Sequence, residues 1–442
     1  MGQRIPQNAR LVAYFENSLR SDTGITTGSI WPLVAQESVT DTQDPIEVPV
    51  SDGSALPNDD ISGIINYGGD LPTKFEYELQ PRLDKVIFGA SGYVGPGGSM
   101  PPDHEFTIPS AFGAYAPGSM QLQKEWGEGT AKYHRGRGVK IAERSLQAEV
   151  AGFCKQTYKV LGAGDVVDTD LGGTKSATPD EASSYNDGRI YETRNGVRQL
   201  LTNLDGIQMR EMTNAKRQEA FYNDGIAGDI NSGNFGLELQ IALAMQVGGT
   251  ALAGDLNGYL AAVNRDPLAI DFIQANAPLV RCTKFVRHQL FTRLYRQAPT
   301  VGGTDGIKYT LRAILRRMPA VAKVPAELIA TLRGPFNIDA TNDHLTITVG
   351  GVPTTVNLTH GATVPLTQVI TDITTAAIAG VTAEDFFGTG WLHLFLNTPG
   401  AASSLQTTGN ALSLFGFDTT VRNGRDFCPY RKLVRNATNT SY

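Results

Sequence analysis

The chain has 442 residues, more than one hydrophobic core usually supports, so two domains are expected and a single small domain is excluded. Charged residues are 19% against roughly 25% in an average soluble chain, and hydrophobic residues are 41%, which excludes disorder driven by charge. Gly 48 and Pro 23 point to many turns and short elements, and a net charge of -6 excludes a chain that binds nucleic acid as a whole by neutralising phosphates.

No run approaches the roughly 18 apolar residues of a membrane span, and Met1 to Arg10 lacks the apolar centre of a signal peptide, so synthesis in the cytoplasm with no membrane partner is expected. Three cysteines, Cys154, Cys282 and Cys428, are too scattered for a disulfide framework or a CxxC knuckle, and buried free thiols are expected.

From Ser21 to Thr73 there is no Lys or Arg, while Asp22, Glu37, Asp41, Asp44, Glu47, Asp52, Asp59, Asp60 and Asp70 are acidic. This stretch reads as an exposed acidic loop or arm, 21–73, with brief strands. In KFEYEL, Lys74 to Leu79, apolar and charged residues alternate as in a half-buried strand. Pro81 opens a short helix with Leu83, Val86 and Ile87 at i, i+3 and i+4, stopped by the glycines from Gly89. Tyr93 to Gly118 reads as loop. Met120 to Trp126, Gly138 to Glu143 and Ser145 to Leu161 read as an antiparallel meander, followed by a polar loop from Gly162 to Arg189.

Asn195-Gly196 between two short strands signals a hairpin, because both residues tolerate positive φ. Ile207 to Met212 and Leu237 to Ala244 read as strands, and Gly254 to Asn264 as a short amphipathic helix. From Arg281 to Ala320 the charge reverses, with nine Lys and Arg facing only Asp305. There Tyr309, Leu311, Ala313 and Leu315 alternate with Lys308, Arg312 and Arg316, so one strand carries an apolar and a basic face. Beyond Pro319 charges thin out. His344 to Val349, Gly350-Gly351 and Val352 to Thr359 form a hairpin signal, Pro365 starts a helix with Leu366, Val369, Ile370 and Ile373 on its buried stripe, and Trp391 to Leu396 returns as a strand. A separate small domain over 335–418 follows, with 419–442 as a tail.

No catalytic, cofactor-binding or metal residue emerges. The six histidines stand in no HxH or HxxxH spacing, the Gly95 to Gly98 segment lacks the phosphate-loop pattern, and no GxSxG elbow is present. Adjacent acids such as Asp59-Asp60 and Glu384-Asp385 read as solvated rather than as a glycosidase pair. Phe285, Phe291, Tyr295 and Tyr309 on the basic strands read as core-facing rather than base-stacking. A non-enzyme without cofactors is expected.

KFEYEL followed by PRLDKVIFGA, the stretch MQLQKEWGEGTAKYHRGRGVKIAERSLQAEVAGFCKQTYKVLGAG, and YNDGIAGDINSGNFGLELQIALAM followed by GDLNGYLAAVN resemble the tail tube proteins of long-tailed, siphovirus-type bacteriophages over about residues 1–320. The region from GPFNIDATNDHLTITVGGVPTTVNL to NTPGAASSLQTTGNALSLFGFD resembles a decoration-like module of phage structural proteins. The resemblance implies a mainly β fold of two packed antiparallel sheets, a β-sandwich or barrel, with a flanking short helix and a small α+β C-terminal domain. It further implies a virion protein of the tail that self-assembles into stacked, hexameric rings. The tube would hold a tape-measure protein, meet tail terminator and distal tail proteins at its ends, and pass double-stranded DNA without specific binding.

Because uncompensated cations on a ring would grip phosphates, the basic strands of 281–317 are expected to face away from the bore. Contacts between subunits are expected between the acidic arm (Asp41, Asp44, Glu47, Asp59, Asp60) and the basic strands (Arg287, Arg293, Arg312, Arg316), the opposite charges fixing register. Other readings are a capsid decoration or tail-completion protein, or a carbohydrate-binding β-sandwich, although Trp31, Trp126 and Trp391 are too scattered for an aromatic platform.

Overall fold

A 20-stranded sheet, folded into three segments, makes the body of the protein in a computed structural model. The structure describes residues 10–33, 35–46, 61–89, 92–94, 103–108, 115–127, 132–149, 152–177, 187–194, 197–201, 204–218, 229–245, 267–278, 282–296, 300–302, 306–315 and 323–436. The chain is mainly β, with several antiparallel sheets.

In the first segment Thr174–Ala177, Thr27–Ile30, Arg10–Phe15, Met120–Trp126, residues 132–139 and Asp165–Val167 lie side by side. The second runs Thr40–Ile46, Ile61–Lys74, Lys155–Gly162, residues 140–149, Leu204–Met212, Gly236–Met245 and Gly306–Ile314. The third runs Val197–Leu200, Gly188–Arg194, Pro267–Ala275, Phe285–Arg296, Tyr430–Arg435, Asp103–Thr107 and Gly92–Val94. Two long strands stitch the segments together. Lys132–Glu149 belongs to the first and the second, and Phe285–Arg296 leaves the third to pair Leu294 with Ala313 in the second. The meander expected over 120–161 is present, but its middle strand is one 18-residue strand and the chain turns only beyond Glu149. Where that strand crosses between segments, Tyr67 lies flat over Gly136 and Gly162. A Cβ at Gly136 would come within 2.3 Å of the ring, so glycine is required there.

The helix Gln80–Phe88 forms where Pro81 and the apolar spacing place it, and it ends at Gly89, whose φ of 88° favours glycine. Rather than flanking a sheet it is enclosed, with Gln80 and Asp84 as buried as Leu83, Val86 and Ile87. Its terminal Phe88 packs on Phe106, Phe235 and Tyr430. KFEYEL is not a strand. The strand ends at Lys74, and both sides of the stretch are buried, Glu76 against Lys74 at 3.0 Å and Glu78 against Lys284 at 2.8 Å. The stretch expected as loop over 93–118 contains the strand Asp103–Thr107, and 162–189 contains Asp165–Val167 and Thr174–Ala177. The Asn195-Gly196 turn and the helix expected over 254–264 lie outside the described residues.

In the C-terminal region Glu327–Arg333, Trp391–Leu396 and Val381–Asp385 form one sheet, and Val352–Asn357, His344–Val349, Ser404–Thr408 and Arg422–Asn423 another. The hairpin turns at Gly350 and Gly351, both at positive φ, and the helix Leu366–Thr375 buries Val369 and Ile373. This module is an insertion rather than an appendage. Val324 and Arg425 pair backbone to backbone at its base, and the chain then re-enters the body as Tyr430–Arg435. That strand lies between Phe285–Arg296 and Asp103–Thr107 with all six residues buried, so 419–442 is not simply a tail. The sequence YRKLVR lies within the stretch expected as a tail, and half of its side chains are cationic. They are buried because each finds an anion.

Candidate assembly surfaces and an ion-paired seam

The residues expected to join subunits are dispersed. Asp41, on the exposed edge strand Thr40–Ile46, stands 3.0 Å from His134 Nε2, and Asp44 is on the same strand. Arg293 is exposed near the end of Phe285–Arg296. Glu47, Asp59, Asp60 and Arg316 lie outside the described residues. Arg287 is buried, donating to Asp271 at 2.8 Å and to Glu327 at 3.2 Å, so its charge is balanced inside the chain instead of being offered to a neighbour. Among the described residues, the arm and the basic strands form no ion pair within the chain.

Arg312 belongs to a different arrangement. On the solvent face of the second segment, Glu143, Arg210, Glu238 and Arg312 follow one another across four adjacent strands. Arg210 is bidentate to Glu143 at 2.8 and 2.9 Å, and Arg312 Nη2 donates to Glu238 Oε2 at 3.0 Å. The Arg312 hydrogen bond holds the Glu238 carboxyl below its usual range despite some desolvation. The strand order that sets this ladder is non-local, so the sequence shows only the cationic half of it.

At the joint between body and module, Glu327 projects from the module's first strand towards Arg287 and Arg431 on neighbouring strands of the body. Arg431 also donates to Glu105 at 2.5 Å, and Arg425 meets the same carboxylate at 2.7 Å. On the module side His393 bridges two acids, with Nε2 at 3.1 Å from Glu327 and Nδ1 at 2.9 Å from Glu384. Glu384 in turn takes both arms of Arg198, at 2.9 and 2.7 Å. Arg435 completes the seam, bidentate to Asp103 at 2.6 and 2.8 Å and bonded to the Ala330 carbonyl at 2.9 Å. Phe387 covers Arg287 and Arg198, and Trp391 covers Arg333 and Arg435.

Each buried ion carries a desolvation cost of several kcal/mol, so these groups persist only as a mutually satisfied set. Burial works to raise the Glu327 carboxyl, but the Arg431 and Arg287 guanidinium groups overcome it and hold it well below its usual range. Burial works to lower His393, and its hydrogen bonds to Glu327 and Glu384 outweigh that and raise it. The Glu384-Asp385 pair, expected to be solvated, is therefore split: Glu384 is tied into the seam, and Asp385 accepts from the Gly390 amide at 2.7 Å. Nothing local marks Glu327 or His393 for this role. The one available signal is the cluster of three cations in YRKLVR.

All three cysteines are buried and free. Among the described residues no group of three or more His, Cys, Asp or Glu is arranged to hold a metal ion, and no helix is long and apolar enough to cross a membrane. Compared with known proteins, the sequence matches no family model and no curated protein.

Proposed function

We propose that this chain is a virion structural protein without enzymatic activity, the subunit of a phage tail tube that assembles as stacked rings. Of the stretches whose sequence resembles that family, PRLDKVIFGA contains most of the helix Gln80–Phe88, and Met120–Trp126, Lys132–Glu149, Lys155–Gly162, Leu204–Met212 and Gly236–Met245 are strands of one sheet, while KFEYEL is not a strand.

The observation that carries the reading is the charge ladder on the second segment's solvent face. A ring with one bare cation per subunit would present about six phosphate contacts and bind DNA with a steep salt dependence. Arg210 and Arg312 are each neutralised across the strands, which leaves Lys155 and Lys159 as the exposed cations of this face among the described residues, so a bore lined by it would grip double-stranded DNA less than its count of Lys and Arg implies. On this reading the ladder lines the bore, and the basic strand need not turn away from it. The tape-measure protein would fill the same bore before ejection, with terminator and distal tail proteins at the ends of the tube.

Negative-stain microscopy of the purified full chain tests the proposal. Rings or tubes of constant bore are expected, and monomers at every protein and salt concentration would overturn it.

A further inference from the structure

Beneath the helix Gln80–Phe88 a second set of ions is buried more deeply than the seam. Lys432 Nζ, from the last strand, lies 2.7 Å from Asp84 Oδ1 and 3.1 Å from Gln80 Oε1. The same Asp84 oxygen accepts from Arg144 Nη1 at 2.5 Å, and Arg144 also pairs with Glu211. Glu211 accepts the Tyr430 hydroxyl at 2.5 Å, and that hydroxyl is 2.7 Å from His288 Nδ1. The side chains of Lys432 and Asp84 are wholly shielded from solvent. Asp84 Oδ2 has no hydrogen-bond partner among the described residues. One oxygen of the carboxylate is thus held by two cations and the other is bare.

We propose that Lys432 and Asp84 condense within the folded chain to form an intramolecular amide crosslink. One proton passes within the ion pair from nitrogen to the carboxylate, and the neutral amine attacks Asp84 Cγ. The second proton leaves nitrogen with the departing oxygen, Oδ2, as water, while Oδ1 stays in the grip of Arg144 and becomes the amide carbonyl. One N–C bond forms, one C–O bond breaks, and nothing is oxidised or reduced.

Three features favour the step. Fixing nucleophile and electrophile in contact replaces an improbable encounter with an intramolecular one. Burial pushes the Lys432 amine down to about 8, so a usable fraction is uncharged near neutrality. The charge balance also improves: the site holds two cations and two anions beside a His288 that burial keeps neutral, and condensation removes one of each, leaving the Arg144–Glu211 pair matched. The bond would join residues 348 apart, closing a very long loop in the unfolded chain, as a disulfide does in chains whose cysteines pair.

Intact-mass spectrometry of the full chain, folded near pH 8 and then denatured, tests this whether or not rings form. The protein is expected to be lighter than its sequence by one water, with digestion yielding a branched peptide that contains Asp84 and Lys432. Asp84→Asn is expected to lose one ammonia instead and reach the same product, and Lys432→Arg to keep its full mass. Should Lys432→Arg fail to fold, the wild-type mass and the branched peptide still decide. Folded wild type at full sequence mass, or a loss of water mapping to other residues, would overturn the proposal.

Discussion

Away from the joint, where Glu327 and His393 are buried, the inserted module and the body around Tyr430–Arg435 are both β structures with apolar cores, but they place their charges in opposite ways. In the module, two hairpins pair strands close in sequence, His344–Val349 with Val352–Asn357 and Val381–Asp385 with Trp391–Leu396, Leu345 and Ile347 point inward, and Asp343, His344 and His360 interact at its surface. In the body, Tyr430–Arg435 pairs with strands that begin about residues 103 and 285, and it carries Arg431, Lys432 and Arg435 into the interior. Local pairing lets a hydrophobic pattern suffice. A strand that completes a sheet from far away meets side chains already committed elsewhere, and here it meets their carboxylates.

The most severe break of this comparison is to end the chain at Asp418. Loss of Tyr430–Arg435 removes a central strand and the cations that balance Glu105, Asp84 and Asp103, so no cooperative thermal transition is expected by circular dichroism. Replacing 326–423 with a short loop is expected to leave a folded body that melts cooperatively at lower temperature, since Val324 and Arg425 already adjoin. A folded truncation would mean that the strand is not integral.

Next in size is Arg144→Met, which leaves Glu211 in the interior without its cation while Lys432 still meets Asp84. Loss of about 3–5 kcal/mol is expected in urea unfolding, the cost typical of an uncompensated buried charge.

The seam gives a pH signature of intermediate size. Glu327 is depressed, so its contribution is complete above its ordinary value of 4.5 and is lost as pH falls through its lower folded value. His393 is raised, so its contribution is complete below its ordinary value of 6.5 and is lost as pH rises through its higher folded value. Melting temperature across a pH series is expected to fall on both sides of that window, with Glu327→Gln weakening the acid limb and His393→Gln the alkaline one. A flat profile for wild type would show that the seam contributes little.

Smallest is Ile347→Val in the module, where removing one methylene from an apolar core is expected to cost about 0.5–1.5 kcal/mol by the same urea measurement.

Much of the local structure was legible. The helix from Pro81 to Gly89, the alternation of Leu237, Leu239, Ile241 and Leu243, and the Gly350-Gly351 hairpin each follow from spacing and turn chemistry within a dozen residues. Pro267–Ala275 and Asp103–Thr107 were not legible, because neither alternates cleanly when Asp271, Gln274, Asp103, His104 and Glu105 are buried in it. Of the site, Arg287 and Arg312 were noticed as charges, while their partners Asp271, Glu327 and Glu238 were not, since those pairings cross strands distant in sequence.

By itself the sequence determined the mainly β class, the module's hairpin and helix, and the burial of three free thiols, because each depends on patterns of a few neighbouring residues. Only the tertiary structure decided that the module is an insertion, that the last strand is central, and that its charges are buried. Whether a charged side chain is solvated or interior depends on what faces it, and here the facing groups come from up to 352 residues away.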